Sequence, residues 1–533
     1  MIFDYIIIGA GSAGCVLANR LTANGRYNVL VLEAGPRDTN PWIHVPLGYG
    51  KLFAASSVNW MYQSEPEPEL HGRSIFTPRG KVLGGSSSIN GLVHIRGQRE
   101  DFDAWAQLGN TGWSYTDVLP YFRKSEDQEG GESVCHGTGG PLSVGAFPDR
   151  HPLCDAFIAA AGETGIPRND DFNGEHQEGA GYYHTTSRRG RRSSCAVAYL
   201  RPAQKRTNLR VHTEALVTRI RFEGRRAVGV EYQLGGRPHV ATANREVLVC
   251  GGSFNTPQLL QLSGVGPQAL LTHHGIPVVL DAAGVGEGLQ DHFYVRTVWK
   301  CTQRITLNDD MASLVGRISI GLRYALRRSG PLTVGAGHAG AFVRTRPEMS
   351  RPDVQLYMIT FSTDKMGTKL HRFSGFTASM SPLRPESRGF VRIQSPDARV
   401  PPAIQYNYLT TPNDQRTAID GLRGIRELMH TSAMKPFARS EVAPGDSVRT
   451  DDEWLDYARK VGGTVYHPTS TCRMGQDELA VVDERLRVRG LSGLRVVDAS
   501  IMPDVVSGNS NAATIMIAEK GADMILEDAA SSY

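Results

Sequence analysis

Two groups of residues in this sequence have types and spacings that could do chemistry, and a third could in the right company. The first opens the chain, where the apolar run Tyr5-Ile6-Ile7-Ile8 leads into Gly9-Ala10-Gly11-Ser12-Ala13-Gly14. A buried strand that enters a glycine turn and then a helix aims unpaired N–H groups, and a positive helix end, at a phosphate. Gly9 permits the tight turn, Gly11 lets the backbone approach a pyrophosphate, and Gly14 lets helix and strand pack closely. Glu33 ends a second apolar run, Val29-Leu30-Val31-Leu32, where a carboxylate accepts ribose hydroxyls and repels a 2′-phosphate. These residues imply an adenine dinucleotide other than NADP. They do not choose between NAD and FAD.

The second group is Gly84-Gly85-Ser86-Ser87-Ser88-Ile89-Asn90-Gly91, paired glycines followed by hydroxyls and an amide. It reads either as a plain Gly/Ser turn or as a second helix N-terminus donating to a diphosphate. The third is His467, held between Tyr466 and Pro468 in a Thr/Ser-rich turn running from Val461 to Gly475. Alone, such a histidine is more often structural. A neutral imidazole, with an ordinary pKa of about 6.5, is also poised to take a proton at physiological pH.

The elements that must position these residues define an α/β chain. Strand patterns recur at 209–213, 216–220, 227–232 and 246–252, and another buried run, Leu494-Arg495-Val496-Val497-Asp498, precedes a loop and a C-terminal helix from Ala512 to Leu526. Ser510 and Asn511 are good N-cap types for that helix. Short amphipathic helices are expected over 101–125 and a helix from Pro152 to Gly165, with a surface loop over 126–150 between them. From about 297 to 462 the texture changes: 353–358 and 389–393 alternate like half-buried antiparallel strands, with helical stretches near 311–328 and 412–431. The basic run Ser187-Arg188-Arg189-Gly190-Arg191-Arg192 reads as a solvated face, with anion or acceptor docking as the rival.

A chain of 533 residues suits two or three domains. A net charge of +4 implies no nucleic-acid partner. Seven scattered cysteines without a CxxC pair argue against a disulfide framework and against a zinc site. The first strand starts too early for a signal peptide, and no run of about 18 apolar residues offers a membrane span. A reducing, cytoplasmic location is expected, with peripheral membrane association left open and the oligomeric state undetermined.

The segment from Gly80 to Asn90 resembles the first signature of the glucose–methanol–choline (GMC) oxidoreductase family. Gly252-Ser253-Phe254-Asn255-Thr256-Pro257 through Gly266 resembles its second, and the N-terminal fingerprint and C-terminal segment also match, so the likeness covers essentially the whole chain. It is most similar to the bacterial alcohol, choline, sorbose and polyethylene glycol dehydrogenases. The resemblance implies a Rossmann-like FAD-binding domain, a parallel sheet with helices, assembled from 1–155, 196–296 and 463–533. It implies an α+β substrate domain with a mostly antiparallel sheet from 156–195 and 297–462. Cofactor contacts are then expected at Gly9, Gly11, Ser12, Ala13, Gly14, Glu33, Ala34, Gly84, Ser86, Asn90, Gly91, Val93, Val217, Asp498, Ala499, Asn511 and Thr514. Asp498 reads equally well as a buried cap.

The resemblance further assigns His467 and Asn511 to the flavin's reactive edge. His467 takes the hydroxyl proton of an alcohol, Asn511 donates to the developing alkoxide, and hydride passes to flavin N5. The last helix, aimed at the N1–C2 region, favours the anionic reduced flavin. Ile89 stands where some family members attach flavin through a histidine, so FAD is expected to be noncovalent. Leu289-Gln290-Asp291-His292 is taken as structural, and His292 and His338 are both possible pocket residues. A small alcohol and a quinone or other non-oxygen acceptor are the expected partners. The rivals are an oxygen-using oxidase, an NAD-linked dehydrogenase, a family hydroxynitrile lyase and a non-enzymatic flavoprotein.

Overall fold

The computed structural model describes residues 1–365 and 367–531. Strand β1 (Ile2–Ile8) lies between β2 (Val29–Leu32) and the last residues of the long strand Arg237–Val249, parallel to both. Leu209–His212 extends the layer beyond β2, and Leu494–Val496 extends it beyond Arg237–Val249, again in parallel. All four residues of β2 are buried, as near-continuous apolar runs require in a sheet covered on both faces. Helix α1 (Ser12–Leu21) crosses from β1 to β2, α2 (Gly252–Leu262) follows the long strand, and α3 (Asn511–Ser531) closes the chain.

The strand expected to begin at 246 starts at Arg237. Its first half leaves the parallel layer and pairs antiparallel with Arg226–Leu234, which in turn pairs with Ala215–Glu223. That half is mostly exposed or partly buried, so it lacks the apolar run that marks the second half.

The second sheet is antiparallel, in the order Ala438–Ala443, Phe293–Cys301, Gly375–Pro382, Val354–Ile359, Ala339–Val343 and Gly179–Tyr182, with Gly463–Thr464 also paired to Phe293–Cys301. Val354–Ile359 was expected to be half-buried but is buried at every residue. One side of the sheet packs on helix Pro412–Met429, and Tyr357 and Ile359 reach the central cavity. We propose domain limits before Pro152 and before Phe293. Helix Pro152–Glu163 packs in the second core, and Phe293–Cys301 is a strand of the second sheet.

The stretch 126–150 is not a surface loop throughout. Glu126 is fully buried and accepts from Arg96 Nη2 at 2.6 Å and from His136 Nδ1 at 2.9 Å, while His136 Nε2 reaches Asp171 at 2.8 Å. Its Gly and acid content gave no sign of this. The helical stretch near 311–328 is two helices, Leu307–Ala312 and Leu314–Arg327, with Ser313 capping the second through Gly316 N–H at 3.0 Å.

Candidate active site

The two glycine segments meet backbone to backbone. Gly9 has φ +93, and a Cβ on Gly14 would lie 1.9 Å from the Gly9 carbonyl oxygen, so only glycine lets α1 start this close to β1. Gly84 donates its N–H to the Ala10 carbonyl at 2.7 Å, and a Cβ on Gly85 would lie 2.6 Å from Gly11 Cα. No side chain caps α1, so its first N–H groups are open toward the cavity. At the N-terminus of α3, Asn511 Oδ1 accepts from Ser12 Oγ at 2.7 Å. Two helix N-termini, nearly the whole chain apart in sequence, therefore converge on one space. Behind them Arg20 grips the fully buried Glu519 with two hydrogen bonds of 2.7 Å, fixing α1 against α3.

One cavity runs from this cradle to the histidine. Its wall includes Gly9, Gly11, Ser12, Ala13, Glu33, Ala34, Ser86, Asn90, Gly91, Val93, Val217, Asp498, Ala499, Asn511 and Thr514, together with Ile89 and His467. Of the expected contacts, Gly14 and Gly84 stand behind the wall as packing residues, and Gly85 takes the lining position beside Ser86. Glu33 accepts from Ala10 N–H and Gly35 N–H, each at 2.8 Å, which leaves the carboxylate turned to the cavity. Burial raises its pKa to about 7. Asp498 both lines the cavity and caps α2, accepting from Gly252 N–H at 2.8 Å and Thr256 Oγ1 at 2.6 Å. Asn90 Oδ1 is held by Arg192 Nη1 at 2.6 Å. Arg192 is thus buried, unlike the solvated run it was grouped with, and burial lowers its pKa to about 9.

At the other end, the loop bearing His467 is clipped to the segment Leu289–His292. Gln290 and Thr469 exchange backbone hydrogen bonds at 3.2 and 2.9 Å, and Asp291 Oδ1 accepts the His467 N–H at 2.7 Å. Tyr466 and Ser470 bracket the histidine at φ +74 and +75, a conformation that costs side-chain-bearing residues of order 1–3 kcal/mol each and persists only under such restraint.

The ring nitrogens of His467 have defined partners. His292 Nε2 lies 3.0 Å from the Leu383 carbonyl, which can only accept, so Nε2 carries the proton and Nδ1 is an acceptor. His467 Nδ1 lies 3.0 Å from that acceptor and must donate to it. The lone pair of His467 therefore resides on Nε2, which accepts from Asn509 Nδ2 at 3.0 Å. Asn509 Oδ1 accepts in turn from Gln355 Nε2 at 3.3 Å. Gln355 also donates to Tyr183 Oη at 3.1 Å, and that hydroxyl donates to Leu356 O at 2.7 Å. The chain of hydrogen bonds runs between two backbone carbonyls and leaves one consistent set of protons.

Burial, with His292 and the Arg79 guanidinium nearby, holds the His467 pKa well below the usual imidazole value. The ring is thus neutral through physiological pH rather than half-titrated, a correction to the ordinary value of about 6.5. Arg79 donates to Ser86 Oγ at 2.8 Å and to the Tyr466 carbonyl at 2.9 Å. No carboxylate pairs with it among the described residues.

The partner expected for His467 was Asn511. The structure puts Asn509 there instead, and Asn511 on Ser12. Asn509 and Asn511 differ by two positions in a loop that enters a helix, and residue type alone cannot rank them. His292 supports His467 from behind, outside the cavity wall, and His338 points to the Asp149 carbonyl at 2.9 Å, also away from the wall.

The GMC oxidoreductase family models match residues 3–294 and 385–518, which together exceed half the chain. The chain belongs to the GMC oxidoreductase family. This GMC oxidoreductase is 44% identical over 528 residues to an alcohol dehydrogenase [acceptor] of Pseudomonas putida, covering 98% of this chain and 96% of that protein. It is 42% identical over 525 residues to an oxygen-dependent choline dehydrogenase of Brucella suis, covering 98% and 95%. A formate oxidase from Aspergillus oryzae, described for its FAD modification, superposes at a TM-score of 0.93 with 27% identity, covering 100% and 99%. The cradle, the buried acid and the uncapped start of α1 fit an FAD, so this GMC oxidoreductase is a flavoprotein of alcohol- and choline-dehydrogenase type.

Proposed function

We propose that this enzyme oxidises a neutral alcohol to an aldehyde or ketone, using noncovalent FAD and passing electrons to an acceptor other than oxygen. The observation that carries the reading is the lone pair on His467 Nε2, presented beside an amide donor in the cavity that also holds the glycine cradle. FAD when bound supplies the hydride acceptor. Gly9, Gly11, Ser12, Ala13 and Gly85 would hold its diphosphate, Glu33 its ribose hydroxyls, and the N-terminus of α3 its ring system. Ile89 offers no nucleophile for a covalent link.

His467 Nε2 accepts the hydroxyl proton, and the Nδ1–H bond to His292 keeps the ring in that tautomer. Asn509 Nδ2, released from Nε2 when the hydroxyl takes its place, donates to the developing alkoxide. Arg79 adds a fixed positive charge behind Ser86 and Tyr466.

The wall supports the reading of an apolar substrate. Phe53, Trp60, Tyr294, Tyr357, Ile359 and Tyr466 make it largely aromatic and apolar, and among the described residues its only carboxylates are Glu33 and Asp498, both assigned to the cradle side. Arg79 stands in the same wall while its nearby counter-charge, Asp291, lies off the wall, so an uncharged apolar alcohol is favoured over a cationic one such as choline. The acceptor reading rests on the name of the Pseudomonas putida relative. Anaerobic mixing of the flavin-loaded enzyme with a series of primary alcohols and with choline tests this. The flavin should bleach rapidly with apolar alcohols and slowly with choline, and reoxidise faster with a quinone than with air. No bleaching by any alcohol would refute the reading.

A further inference from the structure

Helix Leu314–Arg327 is held to the rest of the protein by a narrow underside. Only Ile320 and Tyr324 of its fourteen residues are buried. The opposite face carries Val315, Ile318, Leu322 and Leu326, spaced by three, four and four residues, with Leu314 beside them. Leu326 is 80% exposed, Val315 78% and Leu314 69%. A row of large apolar side chains left in water along one helix face marks a surface meant to be covered.

The flanks of this helix are basic. It contains no acid; at 3.6 residues per turn Arg323 adjoins the apolar row, while Arg317 and Arg327 project nearer the buried face. Next to it stands the hairpin Ser187–Arg192, tied on by Tyr324 Oη donating to Gly190 O at 3.0 Å. That hairpin exposes Arg188, Arg189 and Arg191. Asp127 pairs with Arg188 and Asp149 with Arg323, whereas Arg189, Arg191 and Arg327 have no carboxylate partner among the described residues.

We propose that this helix and hairpin dock on an anionic phospholipid surface. An apolar stripe flanked by Arg323 and by the exposed arginines of the neighbouring hairpin has the form of an interfacial element that buries its stripe at the acyl boundary and places its cations among phosphates. A second copy of the chain is the poorer occupant, because a self-pairing would bring the same unpaired arginines together. The chain leaving the helix runs to Ala336, which donates its N–H to Gly91 O at 2.9 Å, and both residues line the active-site cavity. Docking here places the cavity wall near the bilayer, from which apolar alcohols and lipid-borne acceptors partition. The docking surface stands independently of the catalytic reading.

The test is flotation of the flavin-loaded enzyme with phosphatidylglycerol/phosphatidylcholine vesicles and with phosphatidylcholine vesicles alone. Wild type should float with the anionic vesicles, far less with the neutral ones, and be released by salt. Val315→Asp/Leu322→Asp should stop flotation, and Arg189→Glu/Arg327→Glu should weaken it by about tenfold or more, from the usual contribution of each basic residue near an anionic surface. Both double variants should keep their flavin and their rate of reduction by alcohol. Flotation that ignores lipid charge and salt, no flotation of wild type, or unchanged flotation of the Asp variants would each overturn the proposal. So would a salt-resistant dimer that the Asp variants dissociate.

Discussion

At the level of single residues the account turns on which nitrogen of His467 is free. His292 fixes this through a carbonyl that can only accept, so His292→Ala removes the acceptor for Nδ1–H and releases the ring to the wrong tautomer. Loss of the group that fixes a catalytic histidine's tautomer can cost up to about 10⁴-fold, so a large fall in kcat/KM is expected with the flavin retained. The pH profile separates this from general damage. In the proposed mechanism neutral His467 is the active form, and its pKa is depressed, so wild-type activity should persist below pH 6.5 and fail only in more acid solution. Without His292, one of the causes of that depression, the acid limb should move upward. Glu33 gives a second titration. With its pKa raised to about 7 and ribose hydroxyls favouring the charged form, FAD affinity of the apoprotein should increase as pH rises through about 7, measured by quenching of FAD fluorescence. Sequence reasoning singled out His467 and Glu33, which both line the cavity, because their neighbours are distinctive. It missed Asn509 and the work of His292, since a hydrogen bond between residues 292 and 467 leaves no trace in local spacing.

At the level of elements, the site depends on backbone contact between segments far apart in the chain. The meeting of α1 with β1 was legible, because Gly9, Gly11 and Gly14 follow an apolar strand. The seat of Gly85 on Gly11, and the convergence of α1 and α3 through Ser12 and Asn511, were not, because they join separate stretches. Gly14→Ala places a methyl 1.9 Å from the Gly9 carbonyl oxygen, which must push α1 away from the cradle. The purified variant should carry much less flavin per protein than wild type, read from the ratio of visible to ultraviolet absorbance. Full flavin content would show that the cradle tolerates a wider turn. The antiparallel sheet was legible as a change of texture after about residue 297. The full burial of Val354–Ile359 was not, because Gln355 and Tyr357, the polar members of its alternating pattern, turn toward the site.

Across the whole molecule, residues of the first sheet's body and the second are pinned together by buried charge. Arg96, Glu126, His136 and Asp171 form one such cluster, with Arg96 and Glu126 almost wholly removed from water. Glu126→Ala leaves a buried guanidinium unpaired and should cost about 3–5 kcal/mol, measured as a lower midpoint of denaturant unfolding. The sign of its pH dependence is fixed by the two shifts. Glu126 is held far below its ordinary 4.5, so its contribution is full above that value and lost only in strong acid. His136 is raised from 6.5 to about 9, so its contribution is full below 6.5 and lost as pH climbs through about 9. The gap between wild type and variant should therefore be widest between pH 4.5 and 6.5. The central claim, that proton removal by His467 Nε2 enables hydride loss from an alcohol, is tested most directly by rapid anaerobic mixing of flavin-loaded His467→Ala with an alcohol that bleaches the wild type. The account predicts that the variant keeps its flavin and is reduced about 10²- to 10⁴-fold more slowly. Reduction at the wild-type rate would contradict it.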